Sequence, residues 1–289
     1  MEPRPRRVRG SDGLDLHVLE WSQRGVPLLL VHGFGNDAHI WDDLAPEVAP
    51  HYRVLALDLR GHGDSAWALH GEYDYSHHVA DLEAVTESLG IDRMVLVGHS
   101  LGGRVAMLYA GAHPEQLAGL VIVDSAPELD ARGTTRIQLD VGQHKDPSFG
   151  SVAEYETMLL HAYPEAQPHA IKRMAVHGVK QRDDGRYVLK MDPALRGAVA
   201  QSLTPQARAE YEERTRGELW DALKKVHCPT LVVRGAASDI LSADVADRMV
   251  DDVLPQGRLA VVGRAGHSVM TDNPEGFREA VCSFILGED

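Results

Sequence analysis

Met94-Val95-Leu96-Val97-Gly98-His99-Ser100-Leu101-Gly102-Gly103 decides the fold of this chain. Its first four residues read as a buried strand. The Ala-, Leu- and Met-rich run from Leu101 to Ala112 reads as a helix. Between them there is room only for a very tight turn with Ser100 at its apex. Glycines flank the serine because a strand that turns straight into a helix leaves no space for β-carbons. Such a turn lifts the hydroxyl clear of the sheet edge and aims a helix N-terminus at it, which suits a nucleophile. The five-residue pattern recurs by chance in many proteins. Its weight depends on a base, an acid and an oxyanion site elsewhere in the chain.

Outward from this motif, apolar strands alternate with amphipathic helices. Leu14 to Glu20 alternates in the strand manner, and Pro27 to Val31 and Val54 to Leu57 are short apolar runs bounded by Gly, His and Asp. Trp41 to Val48 reads as helical. Val79, Leu82, Val85 and Leu89 share one helical face, closed by Gly90. Leu120 to Val123 is the next strand. Residues 126–222 carry no strong buried strand. They hold helix-like stretches, Val152 to Ala162 and Pro168 to His177, and a polar turn before Tyr187-Val188-Leu189. The pattern then resumes with Thr230 to Val233, Ala243 to Val253, Leu259 to Val262 and a last helix from Pro274 to Leu286. This predicts an α/β core of residues 1–125 and 223–289, with a mostly parallel sheet flanked by helices. Residues 126–222 are expected to form an inserted, mainly helical cap. In such a sheet, ligands bind beyond the carboxyl ends of the strands.

Composition narrows the classes. With 44% hydrophobic and 25% charged residues among 289, a globular core is expected. The net charge of −14 argues against nucleic acid, which needs clustered Lys and Arg. The basic start, Met1 to Arg7, is not followed by an apolar run, so no secretory signal is expected. No apolar run is long enough for a membrane span. Cys228 and Cys282 sit in apolar settings and read as buried thiols rather than a disulfide. Cytoplasm is the expected compartment.

Three further segments follow predicted strands. His267, in Gly263-Arg264-Ala265-Gly266-His267-Ser268, is the candidate base for Ser100. Asp239, in Arg234-Gly235-Ala236-Ala237-Ser238-Asp239, is the candidate acid that holds the imidazole in one tautomer. Asp124 also follows a strand and is the alternative acid; Asp239 is preferred. His32-Gly33-Phe34-Gly35 supplies the fourth element. The backbone N–H of Phe34, with that of Leu101, is placed to stabilise an oxyanion. No His-Glu-x-x-His run exists, and adjacent His77 and His78 diverge by about 100° on a helix, so no metal site is expected. No Gly-x-Gly-x-x-Gly follows the first strand, and no cofactor is expected. Met158, Leu159 and Tyr163 suit either a pocket lining or packing of the cap.

Together these pieces resemble the α/β-hydrolase fold family: His32 to Gly35, Asp58-Leu59-Arg60-Gly61-His62-Gly63-Asp64-Ser65, Gly98 to Gly102, Gly235 to Asp239, and Gly266-His267. The resemblance covers nearly the whole chain except the cap. It implies nucleophile Ser100, base His267, acid Asp239, and oxyanion donors at Phe34 and Leu101. Asp58 to Ser65 is read as a structural turn. Serine at the elbow disfavours the members that place an aspartate there, haloalkane dehalogenases and epoxide hydrolases. What it implies is acyl-enzyme hydrolysis of a small-molecule ester or lactone by a monomer or homodimer. Carbon–carbon bond hydrolases, haloperoxidase- or perhydrolase-type enzymes and lid-switching receptors that keep the triad are the alternatives.

Overall fold

The computed structural model describes residues 2–133, 135, 147–197 and 204–287. Eight strands form one sheet: β1 (Arg4–Arg9), β2 (Asp15–Glu20), β3 (Val26–Val31), β4 (Tyr52–Leu57), β5 (Met94–His99), β6 (Leu117–Val123), β10 (Thr230–Gly235) and β11 (Gly257–Val262). Their spatial order is β1-β2-β4-β3-β5-β6-β10-β11. From β4 to β11 every neighbouring pair is parallel; β1 and β2 form an antiparallel edge. β1 escapes the sequence reading because its run of arginines hides an edge strand exposed along most of its length. Charged residues on an edge discourage pairing with another chain.

The apolar strands sort their side chains by parity, as a pleated sheet requires. Leu29 and Val31 of β3 enter one core, while Leu28 and Leu30 enter the other. The first core is covered by α2 (Tyr75–Ser88), α3 (Leu101–Ala112) and the end of α6 (Pro205–Leu223). The second is covered by Trp41, Leu44 and Val48, around the short helix α1 (Ala45–Val48), and by Phe277 and Val281 of α7 (Pro274–Leu286). The stretch from Ala243 continues as a short helix to Asp247 and then a wider turn from Arg248 to Val253.

The insert carries α4 (Val152–Ala162) and α5 (Pro168–His177). It also holds a small antiparallel sheet in the order β7-β9-β8, formed by Ser148–Phe149, Tyr187–Leu189 and Val179–Gln181. These strands are too short to register as buried runs. Phe149, Tyr155, Leu159, Ile171, Ala175 and Val179 make its own apolar cluster, and Met174 packs against both this cluster and the second core. α6 crosses the expected boundary at residue 222. Leu219 and Leu223 belong to the first core, and a β-carbon on Gly111 of α3 would stand 2.6 Å from Ala222. Among the described residues, no helix is long and apolar enough to cross a membrane.

Candidate active site

The turn after β5 is as tight as its glycines suggest. Ser100 has φ 52° and ψ −114°, a conformation that L-residues adopt only when their surroundings hold them there. A β-carbon on Gly98 would lie 2.3 Å from the Gly102 carbonyl oxygen, and one on Gly102 would lie 2.4 Å from the Val31 carbonyl oxygen. The Ser100 amide donates to the Val123 carbonyl (3.1 Å), and Ser125 Oγ donates to the Ser100 carbonyl (2.7 Å). The hydroxyl therefore stands on a backbone fixed from both sides.

His267 reaches Ser100 from the loop after β11. Its Nε2 is 2.9 Å from Ser100 Oγ, and its Nδ1 is 2.8 Å from a carboxylate oxygen. That carboxylate belongs to Asp124, and here the structure corrects the preferred assignment. Asp124 is wholly buried and follows β6 with φ 42°. Its Oδ2 also accepts from Ser238 Oγ (2.6 Å), and its Oδ1 accepts from the Gly235 amide (3.1 Å). The loop from Gly235 to Asp239 thus supplies two donors to the Asp124 carboxylate. Asp239 lies one residue beyond Ser238, and its carbonyl accepts from the Gly133 amide (2.9 Å). Because β6 and β10 are neighbours, both loops end at the same edge. Two strong donors beside His267 Nδ1 offset the desolvation of the Asp124 charge.

His99 is a residue that sequence reasoning passed over, although it adjoins Ser100. Its Nε2 donates to the His267 carbonyl (3.0 Å), and the two rings lie 4.9 Å apart. Burial, reinforced by the neighbouring His267, pushes its pKa down to about 3, which keeps this donor neutral. Ser125 and Ser238 were passed over as well; nothing in the local pattern singles them out. Gly235 has its own steric reason: a β-carbon there would meet the Gly266 carbonyl oxygen at 2.0 Å, blocking the His267 loop.

The loop from His32 to Gly35 lies against the elbow. A β-carbon on Gly33 would stand 3.0 Å from Ser100 Cβ, and the Gly102 amide donates to the His32 carbonyl (3.2 Å). His32 donates from Nδ1 to the Gly33 carbonyl (2.8 Å) and accepts the Leu59 amide at Nε2 (3.0 Å). Burial lowers its pKa, so the ring fixes this loop as a neutral group. Phe34 meets His62 edge-on at 5.9 Å, and Leu101 opens α3.

The segment from Asp58 to Ser65 is spent on structure. Asp58 takes hydrogen bonds from Ala38 N (2.6 Å), Asp64 N (2.9 Å) and His17 Nδ1 (2.7 Å). Its acceptors are thereby occupied, although His17, Asp58 and Asp64 are close enough to suggest a metal. Arg60 forms a bidentate pair with Asp81 (2.7 and 2.8 Å).

Comparisons with known proteins agree with this architecture. Residues 26–147 match a family model described as the alpha/beta hydrolase fold. A crystal structure of an alpha/beta hydrolase from Novosphingobium aromaticivorans is 32% identical, with a TM-score of 0.82 over 99% of this chain and 98% of that one. The esterase Rv0045c of Mycobacterium tuberculosis is 27% identical over 92% of this chain and 85% of its own length. A 2-hydroxy-6-oxo-6-(2'-aminophenyl)hexa-2,4-dienoic acid hydrolase of Metapseudomonas resinovorans is 27% identical over 96% of this chain and 90% of its own. With the sheet order, the strained serine elbow and a match over nearly the full length, the chain belongs to the α/β-hydrolase family and is an esterase-like hydrolase.

Proposed function

We propose that the protein cleaves a small carboxylic ester or lactone through an acyl-enzyme on Ser100. The observation that carries this reading is the line of hydrogen bonds from Ser100 Oγ to His267 Nε2 (2.9 Å) and from His267 Nδ1 to Asp124 (2.8 Å). Ser100 Oγ attacks the carbonyl carbon while His267 Nε2 takes its proton. The carbonyl oxygen gains the negative charge, and the amides of Phe34 and Leu101 are the donors assigned to it. The tetrahedral species collapses as His267 gives its proton to the leaving alkoxide. Water then loses a proton to His267 and attacks the acyl carbon, releasing the acid and restoring Ser100. Asp124 holds Nδ1–H throughout and stabilises the imidazolium. Its other oxygen contacts, from the Gly235 amide and Ser238 Oγ, hold it in place for that role.

Residues 126–222 serve as the cap over this site. The Gln167 amide donates to Thr271 O (2.8 Å), Lys190 Nζ pairs with Asp64 (2.9 Å), and Asp192 bonds Tyr73. These contacts support a cap seated on the core at several points. A p-nitrophenyl ester series of increasing acyl length tests the reading. Release is expected with the purified protein and absent with Ser100→Ala; turnover retained by that variant overturns it. Similarity to the aminophenyl-hexadienoic acid hydrolase favours one second reading, cleavage of a carbon–carbon bond in a ring-fission product. Bleaching of a visibly absorbing dienol-ketone, faster than any ester turnover, selects it.

A further inference from the structure

The seam between cap and core holds a group of side chains that the proposed chemistry does not use. His39 and Asp42 come from the core, just before α1, and His177 is the last residue of α5 in the insert. His39 Nδ1 is 3.1 Å from Asp42 Oδ2. The rings of His39 and His177 are stacked, with centroids 3.5 Å apart and planes 19° from parallel. One donor atom from each of the three residues lies within 4.8 Å of the other two.

We propose that His39, Asp42 and His177 bind a divalent transition-metal ion of the zinc class, which pins the cap to the core. Two imidazoles and one carboxylate are a zinc-type donor set that leaves a fourth position for water. Asp42 Oδ1 is buried without a hydrogen-bond partner, so this carboxylate has an acceptor to spare at the site. In His17–Asp58–Asp64, by contrast, Asp58 is already bonded to three donors.

The nearest cations are already paired, Arg173 with Asp43 (2.8 Å) and Lys190 with Asp64 (2.9 Å).

A tetrahedral ion with ligand bonds of about 2.0–2.2 Å sets its donor atoms roughly 3.3–3.5 Å apart. Binding therefore requires the stack of His39 and His177 to open. His177 has the freedom for this, being half-buried at a helix end with Gly178 next.

The test uses Zn2+ titrated into chelator-treated full-length protein and followed by calorimetry. The melting temperature and the visible spectrum of the Co2+-loaded protein are the second and third readouts. One equivalent is expected to bind with a dissociation constant in the micromolar range, to raise the melting temperature and, for Co2+, to give ligand-field bands. His177→Ala and Asp42→Asn should each weaken binding at least tenfold and abolish the bands, while His169→Ala leaves both unchanged. His39→Ala should match His177→Ala. If it fails to fold, His177→Ala, which alters only the helix end, decides. Zinc bound by His177→Ala and Asp42→Asn with the wild-type constant overturns the proposal, as does the absence of binding to the wild type. None of these readouts depends on turnover, so the metal site stands or falls separately from the serine mechanism.

Discussion

The sheet edge that carries Ser100 and the insert around α4 and α5 are built on different principles. At the edge, backbone meets backbone: Gly98, Gly102 and Gly235 each leave less than 2.5 Å for a β-carbon before a carbonyl oxygen. Ser100 and Asp124 both hold positive φ there, and the hydrogen bonds of Ser125 and Ser238 keep them in place, while that of His99 holds the His267 loop. Around α4 and α5 the insert rests on a cluster of six buried residues and on strands of two or three residues. Its contacts with the core are a few backbone bonds, such as Gln167 to Thr271, side-chain pairs and the packing of Met174. The edge thus has one arrangement available to it, which positioned chemistry requires.

The largest expected effect falls on the edge. Ser100→Ala should lower ester turnover by roughly 10⁵-fold or more with little change in melting temperature. A loss of only tenfold, measured with p-nitrophenyl esters, would break the assignment of chemistry to this edge. Next comes the choice between the two acids. Asp124→Asn should cost about 10³- to 10⁴-fold in kcat, and Asp239→Asn less than about tenfold. Equal losses, or the reverse order, would return the acid to the loop after β10.

Glycine substitutions compare the two regions directly. Gly98→Ala forces backbone against backbone and should destabilise by about 3 kcal/mol or more, read from urea unfolding. Gly185 lies in the turn between β8 and β9 with φ 83° and open space around it. Gly185→Ala should cost only about 1 kcal/mol, from backbone strain alone. Similar midpoints for the two variants would erase the distinction.

The last expected effect is a pH slope, small within any one pH unit. Burial, and then the charge of Arg60, hold the His78 pKa down to about 3, and neither ring nitrogen has a partner. Below pH 6.5 the unfolded chain takes up a proton at this residue and the folded protein does not. Stability therefore falls as pH falls from about 6.5 towards 3, by up to about 1.4 kcal/mol per pH unit from this residue. His78→Gln should make the slope shallower between pH 6.5 and 5; an unchanged slope would mean that His78 does not titrate in this way.

Much of the core was legible because a buried parallel strand is a continuous apolar run, and β3 to β6 and β10 announce themselves in that way; β11 reads as an apolar run too, although as the edge strand it is mostly half-exposed. β1 was not legible, since its arginines carry no apolar signal and only pairing with β2 makes it a strand. Ser100 and His267 could be read from their places after strands. The acid could not, because Asp124 and Asp239 both follow strands and both are compatible with the spacing.

By itself, then, the chain determined its α/β layering, its serine elbow and the loop that carries His267, because each rests on local spacing of apolar residues and glycines. The partner of His267 was decided only in three dimensions. β6 and β10 lie side by side, and their register sets Asp124 at Nδ1 while turning Ser238 and the Gly235 amide into its donors. The meeting of His39, Asp42 and His177 is likewise tertiary. It depends on where α5 lands on the core, and no local pattern encodes that.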